Sequence, residues 1–174
     1  MGELLALRLE DVDFLRRTVR VEWQIRQHDR ARVRPKTTRS RRVVPLPAAV
    51  ADVLAAHLAA CPAGPDGMLF ASSRGGAWDA AHYGRVLKTA ARRAGLPGST
   101  SSHDLRHFYV SALLDAGVGL PHVAALIGDT VTTTAKHYAH MVPGQDDRAR
   151  AAVDAALCAP NAPVALLANQ QGHG

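Results

Sequence analysis

The spacing of apolar residues changes at Pro47. Ahead of it, "TVRVEWQI" (18–25) alternates apolar and polar positions, and "ARVRPKT" and "SRRVVPLP" do so on either side of a polar turn at Thr37–Ser40. A period of two is the signature of half-buried strands, so these segments predict a small three-stranded antiparallel sheet. "ELLALR" (3–8) has the pattern of a helix's closing turns, and "EDVDF" breaks it. Beyond Pro47 the period becomes helical. "PAAVADVLAAHLAAC" is one helix, stopped by "PAGPDG", and "MLFASSRGG" is a brief extended stretch and turn. "AHYGRVLKTAARRAG" is a second helix, with Arg92 and Arg93 in its last turn, where cations suit the helix dipole. "SSHDLRHFYVSALLDAG" is a third, with Ser101 or Ser102 as its N-cap. "LPHVAALIG" and "TVTTTAKHYAHM" are short helices, and "DDRARAAVDAAL" is a last amphipathic one. Residues 158–174 carry little apolar periodicity and read as a disordered tail.

The pattern therefore describes a mostly α-helical α+β protein with one small sheet. Its 174 residues suffice for one sizeable core over 1–157, and no internal repeat is visible. With 47% hydrophobic and 21% charged residues, no basic-then-apolar leader and no long apolar run, a cytoplasmic protein without membrane contact is expected. Cys61 and Cys158 form neither a disulfide framework nor a metal-ligand spacing.

Charge changes the picture by its placement. The net charge is +6, and lysine occurs only at Lys36, Lys88 and Lys136. Arg30, Arg32, Arg34, Lys36, Arg39, Arg41 and Arg42 crowd into the second and third strands and their turn. Strand alternation puts Arg30, Arg32, Arg34 and Lys36 on one face, with Ala31 and Val33 on the other. One or two cations there would serve to keep a strand edge soluble. A row of them is expected to contact the phosphates of a polyanionic partner, which the resemblance given below makes double-stranded DNA. Lys36 is the compact ammonium in the row, better suited to delivering a proton than a guanidinium.

The histidines of "HDLRH" admit three readings. His103 and His107 have the i, i+4 spacing of the zinc motif H-E-x-x-H, but Asp104 is shorter than the required glutamate and Arg106 would crowd a dication. They also suit capping or packing. Alternatively, His103 and Arg106 hold one phosphate. Downstream, Tyr138 lies in "AKHYAHM", ten residues after the turn glycine Gly128. A phenolate can attack a phosphodiester and conserve its bond energy in a covalent link, given a base and cations around the phosphorane oxygens.

At these residues the chain resembles the catalytic domain of tyrosine recombinases, the phage-type integrases. "GELLALRLEDVDF" is similar to the end of the family's first box and "RPKTTRSRRVVPLP" to its lysine hairpin. "SSHDLRHFYVSALLDAG" resembles its H-x-x-R box, and "LIGDTVTTTAKHYAH" its tyrosine box. The resemblance implies that fold and a site-specific recombinase acting through a 3′-phosphotyrosine, with no cofactor or metal. By motif, Tyr138 is the nucleophile, Lys36 the general acid, Arg106 a phosphate clamp and His103 a proton-transfer and phosphate contact. Arg30, Arg32, Arg34, Arg39, Arg41 and Arg42 face DNA. The final helix is expected to dock on a neighbouring copy in a DNA-bound tetramer. His107 is assigned to packing or capping, and His122, His137 and His140 to structural or exposed positions.

Two departures are expected to matter. The family's first arginine falls one position before Met1, which leaves a non-catalytic DNA-binding remnant as the alternative function. Asp129 stands where the family has a phosphate-contacting histidine or tryptophan; an ionised carboxylate only accepts hydrogen bonds, so it is expected to turn away and cap the next helix.

Overall fold

The structure is a computed structural model that describes residues 1–35, 37–72, 76, 78–138 and 145–158. Two compact units cluster separately, Met1–Tyr138 and Ala139–Gly174. Among the described residues, no helix is long and apolar enough to cross a membrane.

The first unit opens with α1 (Gly2–Leu5) and a 3-10 turn at Leu9–Asp11. Strands β1 (Val12–Asp13), β2 (Thr18–Val21), β3 (Gln24–Ile25), β4 (Arg32–Val33) and β5 (Arg42–Pro45) follow. A three-stranded antiparallel sheet forms in the order β1-β2-β5, with Val12 opposite Val19 and Arg20 opposite Val43. Its membership differs from the pattern-based expectation. "EDVDF" supplies an edge strand, whereas the "ARVRP" segment pairs with β3 in a separate two-stranded ribbon. The cause is a break at Glu22–Trp23, which turns one expected long strand into β2 and β3.

The helices match their apolar periods closely. They are α2 (Ala48–Ala60), α3 (Ala80–Arg93), α4 (Ser102–Asp115), α5 (Leu120–Ile127) and α6 (Val131–Tyr138). The second unit contributes α7 (Gln145–Cys158). The tail expected over 158–174 is corrected at its first residue, since Cys158 closes α7, and residues 159–174 lie outside the described residues. The "MLF" stretch is held to the start of the chain by a bridge between Met68 and Arg8 and by the Leu69 amide donating to Leu7 O at 3.1 Å.

Two apolar assemblies carry the first unit. Leu5, Ala6 and Ile25 are buried together, with Trp23, Trp78 and Tyr83 packed against them. Val110 of α4, Val123 of α5 and Thr134 of α6 are fully enclosed, and α5 packs against both α4 and α6, the helices that bear the candidate site. Thr134 satisfies its buried hydroxyl by donating to the Thr130 carbonyl at 2.9 Å.

Candidate active site

Local sequence sets the start of α4. The Ser101 hydroxyl accepts from the amides of His103 and Asp104, at 3.2 and 3.3 Å, while Asp104 Oδ2 accepts the Ser101 amide at 2.8 Å. This is a reciprocal capping box, and Ser101 is the N-cap. Asp104 is thereby a cap partner. The Ser101 hydroxyl, then the Ser101 amide, hold its carboxyl below the usual range. With its carboxylate engaged in this way, Asp104 is not free to be the base of a zinc hydrolase. Among the described residues, no three His, Cys, Asp or Glu side chains form a group that could hold a metal.

From that start, α4 presents His103 and Arg106 one turn apart, and His107 beside them. The rings of His103 and His107 meet edge to face with centroids 5.0 Å apart. His107 then packs against the Tyr138 ring at 5.2 Å. His107 therefore has the packing role read from its sequence, and it also makes a contact between the H-x-x-R helix and the tyrosine helix. Its i, i+4 relation to His103 was the available signal. His137 lies further from Tyr138, at 6.4 Å. Tyr138 is buried, with 5% of its surface exposed, and ends the described part of α6.

The turn between α5 and α6 places Asp129. Gly128 adopts φ 71°, ψ 31°, and its amide reaches Ala125 O at 3.2 Å while the Asp129 amide reaches Ala124 O at 2.9 Å. These are the two bonds of a Schellman ending, which favours glycine at the left-handed position. A second constraint acts on the same residue: a β-carbon there would sit 2.8 Å from Nη1 of Arg42. The expected cap by Asp129 is corrected by one residue. Thr130 Oγ1 accepts the Thr133 amide at 3.0 Å and so caps α6. Asp129 Oδ1 accepts the Thr130 amide at 2.8 Å, and Oδ2 faces Arg106 Nη2 at 3.7 Å.

The basic residues separate into two kinds. Arg42 donates to both carboxylate oxygens of Glu3 at 3.0 and 2.8 Å, to Ser40 O at 3.0 Å and to Leu126 O at 2.8 Å. Its side chain is 13% exposed and ties β5, α1 and the end of α5 together. Arg32 donates to Ala6 O at 3.0 Å and Asp11 Oδ2 at 3.2 Å, and lies 4.4 Å from the centre of the Trp23 ring. Burial, then the neighbouring Arg8 charge, pull its guanidinium below the usual arginine range, and Asp11 opposes both. The guanidinium groups of Arg32 and Arg42 are thus engaged inside the protein, where the sequence reading had them facing a ligand.

Arg30, Arg34, Arg39 and Arg41 are exposed. Arg34 joins Arg32 on Trp23, at 5.1 Å, as strand alternation requires. Arg30 leaves the row: its φ of 55° belongs to the turn before β4, and its guanidinium reaches Asp79 at 3.4 Å. Arg39 and Arg41 line an open groove of about 660 Å³ together with Asp129, Thr130 and Thr132. Lys36 and His140 lie outside the described residues.

A helical core whose H-x-x-R helix meets a tyrosine helix, beside a small sheet, is the fold of tyrosine-recombinase catalytic domains. The chain matches the Tn1549 transposon integrase, solved in complex with a circular intermediate DNA, with a TM-score of 0.70 and 25% identity. That match covers 88% of this chain and 53% of the integrase chain. XerA recombinase shares the fold, with a TM-score of 0.61. The sequence carries the same relationship, and the chain belongs to the phage integrase family, whose model matches residues 1–144. The tyrosine recombinase XerC-like protein of Caldanaerobacter subterraneus is 30% identical over 85% of this chain and 44% of its own length. Tyrosine recombinase XerD of Mycobacterium tuberculosis is 36% identical over 40% of this chain and 22% of its own. The chain thus spans less than half the length of these curated relatives.

Proposed function

We propose that the chain is the catalytic core of a site-specific DNA recombinase that cuts and rejoins strands through Tyr138. The observation that carries this reading is the run of contacts from His103 through His107 to Tyr138, with Arg106 on the same helix, in a chain of the phage integrase family. In the proposed step the Tyr138 phenolic oxygen attacks the scissile phosphorus. Its proton passes to His103, the 5′ oxygen leaves with a proton from Lys36, and a 3′-phosphotyrosine remains. Arg106 neutralises the phosphorane oxygens, a role for which preorganised donors are the usual source of rate enhancement. Attack by the 5′ hydroxyl of another strand reverses the step and rejoins DNA.

Arg30, Arg34, Arg39 and Arg41 are the exposed cations that would follow the DNA backbone, with Arg32 and Arg42 bracing them from inside. Residues 1–157 form the catalytic domain in this reading, and α7 serves assembly of a tetramer on paired sites.

The test uses a library of nicked duplexes with randomised sequence, so that no target site need be known. The full chain is incubated with the library, denatured in detergent, and the DNA still attached to protein is sequenced. The reading expects detergent-resistant adducts at an enriched site, lost in Tyr138→Phe. Retention of DNA before denaturation with no adduct afterwards would overturn it in favour of a binding protein without catalysis.

A further inference from the structure

We infer that Asp129 is an internal counter-anion that holds Arg106 until a phosphate oxygen displaces it, and that its hold is tied to the helix carrying Tyr138. Asp129 is thus a positioning residue for Arg106. The inference rests on the reading of Arg106 as a phosphate ligand and adds the group that competes for it.

Three observations converge on this residue. Asp129 Oδ2 is the carboxylate oxygen facing Arg106 Nη2, at 3.7 Å. The two side chains are 32% and 34% exposed, open enough for an incoming anion and covered enough for the pair to be felt. The other oxygen, Oδ1, accepts the amide of Thr130, the residue whose hydroxyl caps α6. One carboxylate therefore bridges the arginine of α4 and the first turn of the tyrosine helix. The Schellman ending at Gly128 fixes where the aspartate emerges, and the Arg42 guanidinium against that glycine restrains the turn from the other side.

The physical consequence is competition. A carboxylate and a phosphate present the same kind of acceptor to a guanidinium, and one Arg106 side chain cannot satisfy both at full strength. When phosphate takes Arg106, Asp129 keeps only its amide bond to Thr130, and repulsion between the two anions opposes the exchange. An exposed or half-exposed pair is worth little, so the competition is modest: about a threefold effect on the availability of Arg106.

The test reads Arg106 directly. Phenylglyoxal labels free guanidinium groups, and peptide mass spectrometry follows each arginine separately. Asp129→Asn keeps an oxygen for the Thr130 amide and removes the charge, so the cap survives while the hold is released. The expected result is that Arg106 labels about threefold faster in Asp129→Asn, with the exposed Arg16 and Arg17 of the β1–β2 turn unchanged. Inorganic phosphate should protect Arg106 at about threefold lower concentration in the variant than in the natural chain. Equal labelling and equal phosphate protection in the two proteins would overturn the inference. If phosphate protects Arg106 in neither protein, the phosphate-clamp reading fails instead, and the labelling difference still reports whether Asp129 holds Arg106. Should Asp129→Asn melt without a cooperative transition, Asp129→Ser, which also offers an acceptor oxygen to Thr130, carries the same comparison.

Discussion

Replacing Arg42 with methionine removes a cation and keeps most of its apolar stem. In the folded protein this guanidinium makes four hydrogen bonds, two of them to the carboxylate of Glu3 at 2.8 and 3.0 Å. A third satisfies Leu126 O, one of the carbonyls that α5 leaves unpaired at its C-terminus. Removing one partner of a buried ion pair costs about 3–5 kcal/mol, because the other charge is left uncompensated. Glu3 is 35% exposed, and water recovers part of that loss. The cost expected for Arg42→Met is therefore about 3 kcal/mol, with a melting temperature lower by roughly 10 °C in a unit of this size. Arg42→Lys should recover less than half, since an ammonium cannot bind the carboxylate with a planar fork. Arg39→Met and Arg41→Met, at exposed positions, should stay within about 0.5 kcal/mol. Urea unfolding followed by far-UV circular dichroism measures all four. An Arg42→Met protein as stable as Arg39→Met would refute the assignment of Arg42 to the interior clamp and return it to the DNA-facing set.

The same clamp makes Gly128→Ala costly: the left-handed φ and the approach of Arg42 to 2.8 Å from the new β-carbon should together cost about 2–3 kcal/mol, and a loss below 0.5 kcal/mol would contradict the turn geometry. Asp104 has a carboxyl held below its usual range by the Ser101 hydroxyl and amide, so its contribution is present above the unfolded value, about pH 4, and is lost as pH falls through the lower folded value. Asp104→Asn should therefore flatten the fall in stability on the acid side, and an unchanged slope in acid denaturation would count against the capping box.

The helices were legible because their apolar periods agree with their caps. Ser101 and Asp104 announce α4, and Gly128 announces the end of α5. The sheet was less legible, because β1, β3 and β4 are two residues long and too short to establish a period. Pairing of such segments is decided by packing: Trp23, which interrupts the expected long strand, packs against the buried Leu5–Ile25 cluster and carries Arg32 on its ring. Strand alternation placed Arg32 and Arg34 together on Trp23, but it did not foresee that Arg30 turns to Asp79 or that Arg32 and Arg42 find partners inside. Glu3 lies 39 positions from Arg42, and Asp11 lies 21 from Arg32, separations that no local pattern reports. The same holds for Asp129. Its place before "TVTTT" made it a natural cap, and only the fold reveals that Arg106 stands within 3.7 Å while Thr130 takes the capping role.

The central claim is that Tyr138 becomes covalently joined to DNA. The most direct measurement is a tandem mass spectrum of the denatured adduct after nuclease trimming, which identifies the residue carrying the residual nucleotide. The account predicts a 3′-linked nucleotide on the peptide that contains Tyr138, absent from Tyr138→Phe. A nucleotide on any other residue, or a spectrum showing only unmodified Tyr138 peptide from DNA-bound protein, would contradict it.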